Sequence, residues 1–396
     1  MVISNKDIKT IYFCPKKAKL DIQNENRQLS DFLFTTEVFG CYLGVQVDEV
    51  LSDNPLIVKI LKSGKKISEY HMLEGAFIAY VAESNDIDLR EIIFESTYYS
   101  VSITRTNWRH YITKLLSLLS YFCEESEFKI SKTHLCRLCK YSGQCFHETV
   151  NLESLTFIQG IKGKTLEKLN SMGITSLRDI ISMYEKLKKE FGEEKAQRLY
   201  YHANSIIENK PVLFKKVDKL SDGIYLDIES YTPFDFDYLF GVLENGRYIP
   251  FLATDPSKER YTFENIVKYL EKRQQPIYHF HNYEIMRFKK LSKKYGVNLS
   301  KELLSRFVDV YKIYAGHVAL PIPSYSLKSI ARFFGFNWRT DINGLSVINY
   351  YREYLATNNK SILKEILKYN EDDVRATEFI VKKLNELSEI NENGGN

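Results

Sequence analysis

The 396 residues exceed what one hydrophobic core usually organises, so the length predicts two or three domains. A hydrophobic content of 44% and a charged content of 27% are typical of a globular protein, and no apolar run is long enough to span a bilayer. The formal charge of +4 does not by itself indicate a polyanionic partner, so any nucleic-acid surface must be local. The first residues, MVISNKDIKTIYF, lack the apolar segment of a secretion signal, which predicts a cytoplasmic protein.

Residues 1–150 contain mixed strand and helix patterns and end at a cluster of cysteines. Four thiols are candidate ligands of one metal group: Cys14, Cys136, Cys139 and Cys145. In an intracellular chain this spacing favours metal or redox chemistry over disulfides. Four thiolates suit an iron–sulfur cluster or a structural zinc, and His134 with His147 offers a different zinc site with three of the cysteines. Cys41 and Cys123 are expected to be ordinary buried thiols.

Residues 151–212 form a helical segment. In 155–181, apolar positions recur at helical spacing and glycines interrupt them, which predicts two short helices around a glycine-bearing turn. This pattern resembles a helix–hairpin–helix motif, in which the turn presents backbone N–H groups to a nucleic-acid phosphate. The residues that would make those contacts are Gly160, Lys162, Gly163 and Lys164. A plain linker between domains is the alternative.

Residues 213–396 show a different pattern. Three strands are predicted at 224–230, 238–244 and 247–253, with Asn245 and Gly246 forming a tight hairpin turn between the last two. A helix at 262–274, a strand at 276–280 and a helix from Asn282 to Gly296 follow. This order predicts an α/β domain with a mixed sheet.

Acidic residues lie at two defined places in this domain. In the strand IYLDIES, alternation puts Tyr225, Asp227 and Glu229 on one face. Tyr369 and Asp373 lie four apart on one face of a late helix, whereas Asp372 points elsewhere. Paired acids on a strand resist burial unless a cation or solvent compensates them, so a metal site and an exposed strand face are both open at this point.

In order, these motifs resemble the exonuclease superfamily that includes the proofreading domains of DNA polymerases. Its members carry D-x-E on a first strand, an acid after a second apolar strand, and Y-x-x-x-D on a late helix. Asp227 and Glu229 match the first motif, Tyr369 and Asp373 match the last, and Glu284 stands where Asp is usual. The stretch from IYHFHNYE to YNEDDVRAT is also similar to predicted RecB-family nucleases that have Glu at this middle position.

The resemblance implies an RNase H-like (DnaQ-like, DEDDy-type) 3′–5′ exonuclease with two Mg²⁺ or Mn²⁺ ions. In the family's roles, Asp227 bridges both ions, Glu229 and Asp373 hold the ion that activates water, and Glu284 helps to hold the other. Tyr369 orients the attacking water. Asp309, in FVDVY, is expected to support a ligand or the local structure instead of binding metal.

The layout of the four candidate cysteines, one early and three late, resembles the iron–sulfur staple of RecB-like nucleases, including the CRISPR-associated RecB-like exonucleases. The resemblance implies a [4Fe-4S] cluster, with zinc as the alternative, on a PD-(D/E)XK-like domain. Such domains carry an acid and a D-x-K or E-x-K pair, but between Glu74 and Tyr121 no clean match exists. SVSIT stands at the expected place, and aligning Glu95 puts Thr97 where the lysine belongs. We therefore expect a nuclease fold that has lost its catalysis and serves as a nucleic-acid or partner-binding module. The alternative is a catalytic motif too divergent to locate, with Glu74 as a remaining acid.

Together these observations predict a multidomain α/β protein that degrades single-stranded DNA from its 3′ end. A non-catalytic nucleic-acid-binding or complex-assembly protein is one alternative, and an exonuclease acting on RNA is another, since nothing in the sequence reads the sugar 2′-hydroxyl. The sequence predicts no membrane association and does not define protein partners.

Overall fold

A computed structural model describes residues 1–62, 64–125, 128, 130, 132–151, 155–158, 161, 163–231, 234–340, 342 and 346–393. The chain divides into two compact units, residues 1–145 and residues 146–396. The predicted α/β class is confirmed, because both units combine mixed sheets with helices. In the part of the chain that is described, no helix is long and apolar enough to cross a membrane.

The first unit contains two sheets. Its strands are β1 (Val2–Ser4), β2 (Thr35–Val38), β3 (Cys41–Gly44), β4 (Glu49–Asp53), β5 (Leu56–Leu61), β6 (Leu89–Glu95) and β7 (Ser100–Ile103). Its helices are α1 (Ile8–Phe13), α2 (Pro15–Asn24), α3 (Glu69–Glu83) and α4 (Arg105–Glu124), and α5 (Ser142–Asn151) begins at its end. The sheet orders are β1–β3–β2 and β4–β5–β6–β7. The parallel pair β5 and β6 is joined by α3, which is buried along most of its length against the sheet and α4.

The second unit begins with short helices. They are α6 (Gly163–Ser171), α7 (Leu177–Ser182), α8 (Tyr184–Phe191) and α9 (Glu193–Glu208). Gly173, with a φ of 78°, lies in the turn between α6 and α7, and the Ser176 hydroxyl accepts a hydrogen bond from the Asp179 N–H to begin α7. α9 ends at Asn209 in the left-handed conformation, two residues before Pro211, where the sequence predicts the end of the helical segment.

A mixed sheet organises the rest of this unit. This part of the unit contains the strands β8 (Val212–Leu213), β9 (Ile224–Tyr231), β10 (Phe236–Glu244), β11 (Arg247–Leu252), β12 (Ile277–His279), β13 (Phe307–Asp309) and β14 (Val318–Ala319), of which β8 and β14 pair with each other in a separate two-stranded sheet. Its helices are α10 (Glu259–Glu271), α11 (Tyr283–Tyr295), α12 (Lys301–Ser305), α13 (Val310–His317), α14 (Leu327–Phe333), α15 (Ser346–Thr357) and α16 (Lys360–Asn393). Among the described residues the main sheet has the order β11–β10–β9–β12–β13, antiparallel on the β11 side of β9 and parallel on the other.

The predicted hairpin between β10 and β11 is confirmed. Glu244 pairs with Arg247, and the two turn residues Asn245 and Gly246 both have positive φ, 51° and 75°. Such a turn matches the twist of the strands it joins, which is why an Asn-Gly pair selects it.

The two faces of β9 pack against different layers, as its alternating pattern predicts. Ile224, Leu226 and Ile228 lie in an apolar core that also contains residues of α10 and α11. The opposite face of β9 meets the long helix α16. The acidic residues of the strand therefore point into the layer between the sheet and α16.

Candidate metal centre

Three carboxylates meet where α16 crosses the middle of the sheet. Ligand oxygens of Asp227, Glu229 and Asp373 all lie within 4.8 Å of one another. Glu229 and Asp373 are each 8% exposed, whereas Asp227 is half-buried. The structure thus brings together three of the four predicted metal ligands, and one of them remains open to the surface.

Glu284 lies in the first turn of α11 and is 4% exposed. It is not part of the closest group, but its charge adds to the rise in the pKa of Asp227. Its Oε2 lies 3.3 Å from His279 Nδ1, yet neither atom makes a hydrogen bond to any described residue. The contact with His279 opposes the rise that burial causes in the pKa of Glu284, and a cation is a further partner that would satisfy this buried oxygen.

The ionisation of these acids is strongly perturbed. Burial and repulsion from neighbouring carboxylates raise the pKa of Asp227 and that of Glu229 well above their ordinary values. Burial raises the pKa of Asp373 to about 6, although hydrogen bonding from Trp338 and the charge of Lys328 oppose the rise. Carboxylates packed this closely cannot all ionise without a compensating cation. Oxygen ligands of this kind are those that Mg²⁺ and Mn²⁺ prefer, so the donor set fits the predicted ions.

Tyr369 lies one turn before Asp373 on α16 and is 5% exposed. Burial and the nearby carboxylates raise the pKa of its hydroxyl, so it stays protonated at neutral pH. Lys328, on α14, places its Nζ 4.9 Å from the ring centroid of Tyr369 and donates a hydrogen bond to the Ile342 carbonyl over 2.8 Å. Burial lowers the pKa of Lys328, and the charges of Asp373 and Glu229 oppose this fall, so the ammonium group lies within electrostatic reach of the acidic group. Sequence analysis missed Lys328, because no motif marks a lysine that only folding brings to this site.

Adjacent Asp372 and Asp373 have different surroundings. Asp373 accepts a hydrogen bond from Trp338 Nε1 over 2.7 Å and faces the acidic group. Asp372 instead accepts hydrogen bonds from the backbone N–H and Nε of Arg339, over 2.7 and 2.6 Å. Asp309 accepts from the backbone N–H of Tyr311, at the start of α13, and from that of His281, between β12 and α11, and so supports the local backbone.

The four candidate ligands among the cysteines of the first unit are half-buried, whereas Cys41 is buried. Cys14 begins α2, Cys136 and Cys139 belong to a short 3-10 turn and its end, and Cys145 lies on α5. Burial raises the pKa of Cys14 and of Cys139, and the Cys136 thiol adds to both shifts, so these three thiols lie within electrostatic reach of each other. Within the described ranges, the carboxylate group is nevertheless the one set of three metal-binding residues whose ligand atoms come within 4.8 Å.

Buried Glu74, on α3, is ion-paired in the first unit. Its Oε2 lies 2.6 Å from the Nζ of Lys62, the residue directly after β5, and its Oε1 accepts from Asn5 over 3.1 Å. Lys62 precedes α3 and so lies outside the stretch from Glu74 to Tyr121 in which the lysine of the motif is expected. Two positions before Lys62 stands Ile60, which cannot bind a metal.

The predicted phosphate-binding turn is described only in part. Gly163 opens α6 and Lys164 is exposed in its first turn. Gly160 and Lys162 lie outside the described residues. The motif stays a prediction.

The fold and the acidic group together define a class of domain. In this class a helix crosses a mixed sheet, and the helix and the central strand present carboxylates that can bind metal ions. Residues 224–385, less than half of the chain, match the family model of the RNase_H superfamily. This range contains all five predicted catalytic residues: Asp227, Glu229, Glu284, Tyr369 and Asp373. No curated protein and no solved structure showed a significant match. The chain thus carries a C-terminal RNase H-like domain, and this superfamily indicates nuclease activity.

Proposed function

We propose that this protein is a metal-dependent exonuclease that removes nucleotides from the 3′ end of single-stranded DNA. The observation that carries the proposal is the close group of carboxylates formed by Asp227, Glu229 and Asp373 inside an RNase H-like domain. A phosphodiester is itself anionic, so carboxylates promote its hydrolysis only by holding divalent cations.

The proposed ligands of two Mg²⁺ or Mn²⁺ ions are Asp227, Glu229, Glu284 and Asp373. Such ions, when bound, supply a more acidic water and neutralise charge on the phosphate. The protonated hydroxyl of Tyr369 is suited to orient a water beside Asp373. The Lys328 ammonium group lies beside the Tyr369 ring and is suited to attract the phosphate backbone.

Exposed aromatic side chains support a single-stranded substrate. Phe234, shortly after β9, is 73% exposed, and its ring stacks on Tyr231 with a centroid distance of 5.4 Å. Tyr283, 40% exposed, donates a hydrogen bond to the Ser230 hydroxyl over 2.7 Å, beside Glu229. Unpaired bases stack on such rings, whereas the bases of a duplex are stacked on each other.

A degradation assay tests the proposal. Wild-type protein with Mn²⁺ should shorten a 5′-labelled single-stranded DNA into a ladder, and D227A/E229A should not. The double variant D218A/D222A is a matched control, because it removes two exposed acids just before the same strand. Retained activity in D227A/E229A would refute the assignment.

The same assay separates the alternatives. Competing DNA and RNA at equal concentration decides which sugar is preferred. Wild-type protein that binds DNA but cleaves nothing with Mg²⁺ or Mn²⁺ would instead support a non-catalytic binding or assembly role.

We further propose that the first unit has a PD-(D/E)XK-like fold without catalysis. We also propose that a [4Fe-4S] cluster, with zinc as the alternative, is bound by four cysteines: Cys14, Cys136, Cys139 and Cys145. Supporting the first point, the carboxylate of Glu74 is already occupied by Lys62 and Asn5. Supporting the second, all four thiols are half-buried. Anaerobic purification followed by absorbance and metal analysis should find about four irons per chain, and zinc without iron would overturn the cluster. The helix–hairpin–helix segment is proposed to bind substrate phosphates.

A further inference from the structure

A buried asparagine connects the acidic group to the neighbouring strands. Asn370 follows Tyr369 on α16 and is fully buried. Its Nδ2 donates to Oδ2 of Asp227 over 2.6 Å, and its Oδ1 accepts from the Tyr248 hydroxyl over 2.7 Å. An ionised carboxylate offers only acceptors, so the amide must turn its NH₂ group towards Asp227. The Tyr248 hydroxyl, which lies on β11, is positioned to hold the amide in this orientation.

The glycine at position 241 leaves space for the amide of Asn370. Gly241 on β10 pairs directly with Asp227 on β9. A Cβ at Gly241 would lie 1.7 Å from Asn370 Oδ1 and 2.7 Å from its Cγ. Real Cβ atoms do not approach so closely, so any other residue at this position would displace the amide. Two strands and one helix thus contribute to a single contact with Asp227.

The hydrogen bond from Asn370 acts where neighbouring carboxylates repel each other. Burial raises the pKa of Asp227 and of Glu229, and hydrogen bonding from Asn370 opposes the rise for both. The amide occupies one acceptor position of Oδ2 and leaves Oδ1 of Asp227 for another partner. Because the amide is neutral, it fixes the carboxylate without competing with a metal ion for it, as a lysine or an arginine would.

We propose that Asn370 is a positioning residue that sets the orientation of the Asp227 carboxylate for divalent cations, with Tyr248 and Gly241 as its supports. This inference rests on the proposed metal-dependent function, but it concerns metal affinity and not the choice of substrate. Asn370 acts through its hydrogen bond to Asp227. Groups that hydrogen-bond to a metal ligand typically change metal affinity or activity by about 10- to 100-fold when removed.

The test is Mn²⁺ affinity of the full chain, measured by calorimetry or by the loss of the free-ion paramagnetic resonance signal. N370A should weaken Mn²⁺ binding by about 10- to 100-fold. Y248F, which removes one hydroxyl, should weaken it less, and G241A should weaken it although it removes no polar group. Raising Mn²⁺ should restore part of the degradation rate in each variant.

The matched control is N385A. Asn385 lies on the same helix and also makes two hydrogen bonds, both of 2.8 Å, to the backbone of Leu220. Its loss should lower stability in EDTA while leaving Mn²⁺ affinity unchanged. If N370A, or Y248F where N370A fails to fold, binds Mn²⁺ as wild type does, the proposal is overturned. A wild type that binds Mn²⁺ with the expected pattern of variants but degrades nothing would overturn the nuclease function and leave Asn370's role standing.

Discussion

Replacing Asp373 with asparagine should abolish activity and yet stabilise the metal-free protein. The side chain is 8% exposed, and burial raises the pKa of Asp373 from an ordinary 3.8 to about 6. A shift of about 2 pKa units corresponds to about 3 kcal/mol of destabilisation once the group is ionised. The asparagine carbonyl can still accept the hydrogen bond from Trp338, so D373N removes the charge with little change in packing.

The pH dependence gives the sign of the effect. Between pH 3.8 and about 6 the folded protein keeps a proton that the unfolded chain has lost, so wild-type stability falls as pH rises through this window. The advantage of D373N should therefore be about 3 kcal/mol at pH 7.5 and about half of that at pH 5. For a domain of this size, the gain at pH 7.5 corresponds to a Tm increase of roughly 6 to 12 °C.

Chemical denaturation in EDTA measures the difference in unfolding free energy between D373N and wild type at both pH values. D372N is the adjacent control and should lose stability. Mn²⁺ should reverse the order, because it stabilises wild type far more than the variant. The reasoning fails if D373N is no more stable than wild type at pH 7.5, or if its gain is the same at pH 5.

Four further substitutions separate the roles of residues around the site. Y369F should lower kcat by about 10²-fold while Mn²⁺ affinity stays unchanged, and a parallel loss of metal would contradict its role in orienting water. K328M should likewise lower kcat by about 10²-fold without weakening Mn²⁺ binding, and a smaller than threefold effect would remove Lys328 from the site. D372A should cost about 1 to 3 kcal/mol of stability through its lost bonds to Arg339 and keep Mn²⁺ binding, whereas weaker binding would make Asp372 a ligand. F234A should weaken binding of single-stranded DNA about 5- to 100-fold and leave the kcat unchanged, and equal binding would exclude stacking.

The elements that positioned the site were readable from local patterns. Alternation in IYLDIES separated the acidic face of β9 from its apolar face, because a strand repeats every two residues. Helical spacing likewise placed Asp373, and not Asp372, in register with Tyr369. The hairpin turn followed from the conformations that Asn245 and Gly246 adopt readily.

Such local patterns do not predict contacts between segments that are distant in the sequence. Lys328, Trp338 and Asn370 surround the carboxylates, but periodicity shows only which face a residue occupies and not what meets it there. The start of α10 shows the same limit, since 262–274 was predicted and Glu259–Glu271 is observed. Its first residue, Glu259, is held by the Asp237 N–H over 2.6 Å and by Lys294, partners that lie in other elements.

The most direct test of the central claim, that the carboxylate group places divalent cations on the scissile phosphate, uses a single sulfur substitution in the substrate. A non-bridging oxygen at the 3′-terminal phosphodiester of a single-stranded DNA is replaced by sulfur, and the two diastereomers are degraded separately with Mg²⁺ or Mn²⁺. Sulfur is a softer ligand that Mg²⁺ binds poorly and Mn²⁺ accepts better. We predict that one diastereomer is cut at least 10-fold more slowly with Mg²⁺ and that Mn²⁺ restores most of the rate. An equal slowing with both metals, or cleavage that persists in EDTA, would contradict the account.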